Sequence, residues 1–306
     1  LKTRDPLPRS TAELSEGEVR LAESATGHRI AYRRLGEQGP RVLLIMGFNM
    51  PGHAWRYQID GLSEKHQVIW FDHAGVGESG ATRRRKLSMQ DLVADSLSVM
   101  DHVGWPNAHV VGVSMGGMIA QELALRHRER VSTLTLIATH AGGMDKVFPS
   151  SQGLKLFARV NLAGLTPKYL MGRGACCDGK RNATAIDSLS ELLFPEPYLK
   201  HHRGEVFRVL SSDFADQVPV KTRLAQLWAV LHHDTKSRLS QLAGLPTLVV
   251  KPELDLLVKP SGSDFLASRI PGARMMVLDD AGHGCIRQRA ADINAGIAEL
   301  IASHSS

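Results

Sequence analysis

The chain has 306 residues, 43% of them hydrophobic and 22% charged, with a formal net charge of +6. That length suits one large α/β domain carrying an insertion, or two small domains, and the balance is that of an ordinary globular protein. No apolar run approaches the roughly 20 residues of a membrane span, and the one dense basic cluster, Arg83-Arg84-Arg85-Lys86, reads as a solvated loop. No aromatics interleave it and no nucleic-acid motif accompanies it, so no nucleic-acid partner is expected. The three cysteines, Cys176, Cys177 and Cys285, make neither a disulfide framework nor a zinc spacing. The first residues lack an apolar leader. An intracellular, cytoplasmic protein is therefore expected.

Strand-like and helix-like segments alternate along the chain, the pattern of a mostly parallel sheet flanked by helices. Residues 18–24 and 29–35 read as an antiparallel hairpin turning at Thr26-Gly27-His28. Residues 41–46 read as a buried strand, 53–65 as a helix with Trp55, Ile59 and Leu62 on one face, and 67–72 as a second buried strand. A glycine-rich loop, Asp72 to Ser79, follows. Ser88 caps a helix running to about Val103, with Asp91 in the capping-box position. Strand 108–113, helix 115–127 and strand 131–138 come next. The alternation stops at about His140. Residues 143–240 read as mainly helical, and the βα pattern resumes with strands at 245–251 and 273–278 and a last helix over 286–301. The predicted division is a core of residues 1–142 and 241–306, with residues 143–240 inserted as a helical cap before the penultimate strand. Such a cap would cover the carboxyl edge of the sheet, where open α/β sheets bind ligands.

Gly112-Val113-Ser114-Met115-Gly116 lies between an apolar β-branched run and a helix-like run. A serine on a sharp strand-to-helix turn is held in a strained conformation with its hydroxyl exposed, and its neighbours two before and two after must be small. A serine hydroxyl needs a general base, usually a histidine oriented by a carboxylate, and on this kind of elbow the chain order is nucleophile, acid, histidine. His283, in Ala281-Gly282-His283-Gly284 after the last strand, is the candidate base. Asp255, after the strand at 246–251, is the candidate acid, with Glu253 as the alternative; Asp279 and Asp280 read as turn residues. The oxyanion of a tetrahedral intermediate needs two backbone N–H groups. Met115 and Phe48, the latter in the loop Met46-Gly47-Phe48-Asn49, are the candidates.

With these motifs the chain resembles the α/β-hydrolase superfamily, in its lidded serine esterase, lipase and haloperoxidase-like branch. The resemblance spans about residues 17–303 and rests on Gly112 to Gly117, Asp72 to Ser79, Glu253-Leu254-Asp255 and Gly282-His283. Three positions depart from the family's habit: Met46 where His is common, Ala74 where Arg is common, and Pro252 where Gly is usual. The resemblance implies hydrolysis of small or medium apolar carboxylic esters through an acyl-enzyme on Ser114, with no cofactor or metal. Apolar residues of the cap, among them Leu154, Leu156, Phe157, Val160, Leu162, Leu165, Tyr169, Leu170 and Met171, are expected to divide between cap core and pocket. Related readings keep the triad for thioester, lactone or C–C hydrolysis, or for haloperoxidase and perhydrolase chemistry. A small-molecule receptor of the same fold is the reading from another class. Ser114 argues against dehalogenases and epoxide hydrolases, which place a carboxylate at the elbow.

Overall fold

Short β-branched runs flanked by turn residues become strands, and the longer amphipathic runs between them become helices. The computed structural model describes residues 17–82, 84–143, 149–162, 179–214 and 218–304. Its eight strands form one sheet in the order β1-β2-β4-β3-β5-β6-β7-β8. β1 (Arg20–Glu23) and β2 (Arg29–Leu35) make the expected antiparallel hairpin. β2 also runs antiparallel to β4 (Gln67–Phe71). All other pairings are parallel, through β3 (Arg41–Ile45), β5 (Ala108–Val113), β6 (Val131–Ile137), β7 (Thr247–Pro252) and β8 (Arg274–Leu278).

Helices cover both faces, so the central strands are apolar throughout rather than alternating. All of β5 is buried. On one face Leu43, Ile45, Ile69 and Val110 pack with α2 (Met89–His102) and α3 (Met115–Arg126). On the other, Val42, Leu44, Val68 and Val111 meet α1 (Arg56–Ser63) and the C-terminal helix. Each such side chain contributes about 1.5–3 kcal/mol by leaving water. At the start of α2 the Ser88 hydroxyl accepts from the Asp91 N–H (3.2 Å), and the Asp91 carboxylate accepts from the Ser88 N–H (2.9 Å). The capping box is thus formed as the sequence predicts.

Two helices differ from expectation. The segment read as one helix over 53–65 begins as a 3₁₀ turn, Gly52–Trp55, because the Ala54 N–H bonds to the Pro51 carbonyl three residues back (3.1 Å). The last helix is broken at Arg289, whose backbone leaves the helical region (φ −127°, ψ 43°) while its guanidinium holds Asp280 (2.6 Å) and Asp292 (2.7 Å).

Between β6 and β7 the described chain is helical, in α4 (Ser151–Leu162), α5 (Gly179–Leu193), α6 (Glu196–Asp213) and α7 (Val220–His232). Ile186, Leu189, Phe194, Leu199, Val206 and Leu210 form an apolar cluster of their own there. α8 (Ser261–Arg269) joins β7 to β8, and α9 (Cys285–Gln288) and α10 (Ala290–Ala302) close the chain. No helix among the described residues is long and apolar enough to cross a membrane. In the basic cluster, Arg84 pairs with Asp91 (3.2 Å) and Lys86 lies over the Trp228 ring (3.7 Å). Cys285 is a buried free thiol, and burial pushes its pKa up; Cys176 and Cys177 lie outside the described residues.

Two histidines outside the candidate site link the fold to pH. Burial pushes His109 on β5 down to about 4 and His233 down to about 3, from an ordinary 6.5. Both stay neutral in the fold while the unfolded chain takes up protons below about 6.5. Their contribution is complete above that value and is lost as pH falls toward 4 and then 3. The melting midpoint should therefore drop between pH 7 and pH 4, and His109→Gln should flatten part of that slope. A midpoint constant across this range would contradict the assignment.

Candidate active site

β5 ends at Val113 in the middle of the sheet, and α3 begins at Met115, so Ser114 alone makes the turn. Its backbone takes φ 54° and ψ −120°, a strained region for a residue with a side chain. The turn is held by the Ser114 N–H on the Ile137 carbonyl (2.9 Å) and by the Thr139 hydroxyl donating to the Ser114 carbonyl (2.7 Å). A Cβ on Gly112 would stand 2.3 Å from the Gly116 carbonyl oxygen, and one on Gly116 would stand 2.0 Å from the Ile45 oxygen. Space, not backbone freedom, demands glycine at both.

Asp255 sits in the loop after β7, and His283 sits between β8 and α9. One oxygen of Asp255, Oδ1, accepts the N–H groups of Leu257 (2.8 Å) and Val258 (2.9 Å). The other, Oδ2, lies 2.7 Å from Nδ1 of His283, and both residues are buried. A carboxylate fixed at that distance favours the tautomer with its proton on Nδ1, leaving Nε2 free to accept one. Glu253 pairs instead with Lys251 (2.7 Å), which also holds Asp264 (2.9 Å). Asp280 pairs with Arg289, and Asp279 is exposed. Pro252 ends β7 opposite Leu278 and does not keep Asp255 from His283.

The loop after β3 crosses close to the serine: a Cβ on Gly47 would lie 3.2 Å from the Ser114 Cβ. The residues on either side of Gly47 and Phe48 are tethered. His73 Nε2–H donates to the Met46 carbonyl (2.8 Å), and the Asn49 N–H donates to Gln226 Oε1 (3.0 Å). The Phe48 N–H lies between these anchors, and the Met115 N–H lies at the first turn of α3, where helices leave donors unpaired. Burial lowers the pKa of His73, which stays a neutral donor. Neither tether was read from the sequence. His73 carried a signal, standing in the glycine-rich loop at the carboxyl end of β4. Gln226 carried none, being brought from α7, 177 residues away.

Ser114, His283 and Phe48 open onto a cavity of about 110 Å³. A single water needs roughly 10–15 Å³, so the space admits a small organic group. Of the pocket residues expected from the inserted segment, Phe157 and Val160 line it, with the Phe157 ring 6.0 Å from that of Phe48. Leu156 is buried elsewhere and Leu154 is exposed. The Leu162 side chain and residues Leu165, Tyr169, Leu170 and Met171 lie outside what the structure describes. Most of the described wall comes from residues the sequence did not single out, among them Leu189 and Leu192 on α5, Leu210 on α6, and Phe194. Among the described residues, one on the wall is charged: Arg287, on α9. Among the described residues, no group of three or more His, Cys, Asp or Glu gathers as a metal site.

A family model described as alpha/beta hydrolase fold matches residues 40–286. A protein of Azorhizobium caulinodans named "Putative carbamate hydrolase RutD" is 30% identical over 259 residues, covering 82% of this chain and 87% of its own. The pimeloyl-[acyl-carrier protein] methyl ester esterase of Aeromonas hydrophila is 27% identical over 256 residues, covering 83% of this chain and 92% of its own. The enol-lactonase of Burkholderia xenovorans superposes with a TM-score of 0.76 at 22% identity, over 92% of this chain and all of its own. At that identity the likeness speaks for the fold alone.

Proposed function

We propose that this chain, which belongs to the alpha/beta hydrolase fold family, is a serine hydrolase of carboxylic esters. One observation carries the reading. Ser114 is held at φ 54° on a strand-to-helix turn, and it opens onto the same cavity as an imidazole whose Nδ1 is fixed 2.7 Å from a buried carboxylate. In the proposed reaction His283 Nε2 takes the Ser114 proton as Oγ attacks the acyl carbon. The Phe48 and Met115 N–H groups receive the oxyanion. Collapse expels the alcohol, which takes the proton from His283. A water then gives His283 its proton as it attacks the acyl-enzyme, and collapse releases the acid while Ser114 Oγ takes the proton back from His283. No cofactor enters the scheme. Relatives named as a carbamate hydrolase and a methyl ester esterase support hydrolysis at an acyl carbon.

In the same reading residues 143–240 act as a cap over the core of residues 1–142 and 241–306, and choose the substrate. The apolar wall supplied by Phe157, Val160, Leu189 and Leu192 supports this. The test is a ladder of p-nitrophenyl esters of increasing acyl length, run beside matched thioester, lactone, C–C and peracid substrates. Esters should be turned over fastest. Phe157→Ser should raise KM for the longer acyl chains by roughly 10-fold, and for acetate much less, on the scale of one or two lost methylene contacts. Preference for a C–C or peracid substrate would replace the ester assignment. An equal effect of Phe157→Ser on all chain lengths would remove the cap from specificity.

A further inference from the structure

The described wall of the cavity, mostly apolar, carries one cationic residue. Arg287 is 7% exposed and lines the cavity that holds Ser114 and His283. It is four residues beyond the candidate base, on the short helix that the break at Arg289 separates from α10. Its guanidinium sits 5.4 Å from the Tyr57 ring and 5.9 Å from the Phe194 ring. Its Nη2 reaches one oxygen of Asp213 at 3.3 Å. That carboxylate is shared. Arg56, also 7% exposed, pairs with the other oxygen, as does His53 at 3.3 Å. Burial would raise the Asp213 pKa, but the His53 hydrogen bond and the two guanidinium charges outweigh it and hold the group below the usual carboxylate range.

Asp213 is thus ionised at neutral pH, and it is one buried negative charge against two buried positive ones. The Arg56 charge also acts on Asp60, one turn along α1, which is only partly buried, and Glu205, partly exposed, lies 3.8 Å from His202. The hydrogen bonds reflect the same imbalance: Nε and Nη1 of Arg287 and Nη1 of Arg56 are buried and meet no acceptor among the described residues. Charged donors left without an acceptor in an apolar surround are costly. A planar guanidinium at the wall of a cavity matches a carboxylate.

We infer that Arg287 is a specificity-determining residue that binds a carboxylate on the substrate, so that the preferred esters are monoanions with the charge a few bonds from the scissile carbonyl. The inference rests on the ester-hydrolase reading. A matched pair of probes tests it: the mono-p-nitrophenyl ester of glutaric acid, and p-nitrophenyl pentanoate, which has a methyl in place of the carboxylate. The wild type should favour the anionic ester by roughly 10–100-fold in kcat/KM, mostly through KM, the scale of a hydrogen bond to a charged group. Arg287→Met should bring the ratio close to one, and Arg287→Lys should keep part of it. A wild-type ratio at or below one, or an unchanged ratio in Arg287→Met, overturns the inference. Wild-type thermal shift with glutaramate against pentanamide needs neither turnover nor a folded variant. Stabilisation by glutaramate at about 10-fold lower concentration supports the site, and equal effects overturn it. Failure of the ester reading would look different: neither ester turned over and no phosphonate adduct on Ser114, with the amide comparison still deciding the anion site.

Discussion

Ser114→Ala should lower turnover of p-nitrophenyl acetate by roughly 10⁴–10⁶-fold, with the melting midpoint little changed. The magnitude follows from a nucleophile, base and acid acting as a unit, where loss of the nucleophile removes most of the catalysis and leaves what oxyanion stabilisation and binding supply. Little loss of stability is expected because the strain at Ser114 is imposed by its surroundings. The bonds that hold the turn, to Ile137 and from Thr139, are made by the Ser114 backbone. An organophosphonate should add once to the wild type, at Ser114, and not to the variant. Intact-mass spectrometry that finds an active wild type without an adduct, or an adduct on another serine, would sink the assignment of the nucleophile.

Asp255→Asn should cost roughly 10⁴-fold in kcat, or about 5.5 kcal/mol of transition-state stabilisation at 1.36 kcal/mol per decade. Asp255 Oδ1 accepts two backbone N–H groups, and Oδ2 faces His283 Nδ1. An asparagine can keep its carbonyl oxygen on the backbone pair. Its amide then presents N–H to Nδ1 and favours the tautomer with the proton on Nε2, which cannot accept from serine. The fold should survive, since the loop keeps its two backbone bonds. Glu253→Gln should cost little, because Glu253 pairs with Lys251 on the surface. Near-full activity in Asp255→Asn beside a dead Glu253→Gln would exchange the two roles.

The legible parts of this protein are those where a local physical demand leaves few residue choices. The capping box at Ser88 and Asp91 is complete within four residues. The Gly112 and Gly116 positions could be read because any Cβ there collides with backbone. The strands could be read because sheet faces covered by helices leave continuous apolar runs, as in Val42–Ile45 and Val110–Val113. Where two candidates stood side by side, sequence alone could favour but not separate them. Glu253 and Asp255 differ by which way the loop after β7 turns, and that depends on the Leu254 N–H meeting the Ala281 carbonyl (2.9 Å).

The sequence by itself determined the βα alternation, the interruption after His140 and the serine, carboxylate and histidine candidates, because these depend on periodicity, turn sterics and order along the chain. Only the tertiary structure decided what surrounds them. His73 and Gln226 tether the loop around Phe48, and Leu189, Phe194 and Leu210 complete the wall begun by Phe157. Asp213, Arg56 and Arg287 come from three distant segments to make one buried charged cluster. Residue type shows that a glutamine can hydrogen-bond or that an arginine is charged. Whether its partner is water, a backbone N–H or a buried carboxylate depends on which helices pack together, and that is a property of the fold as a whole.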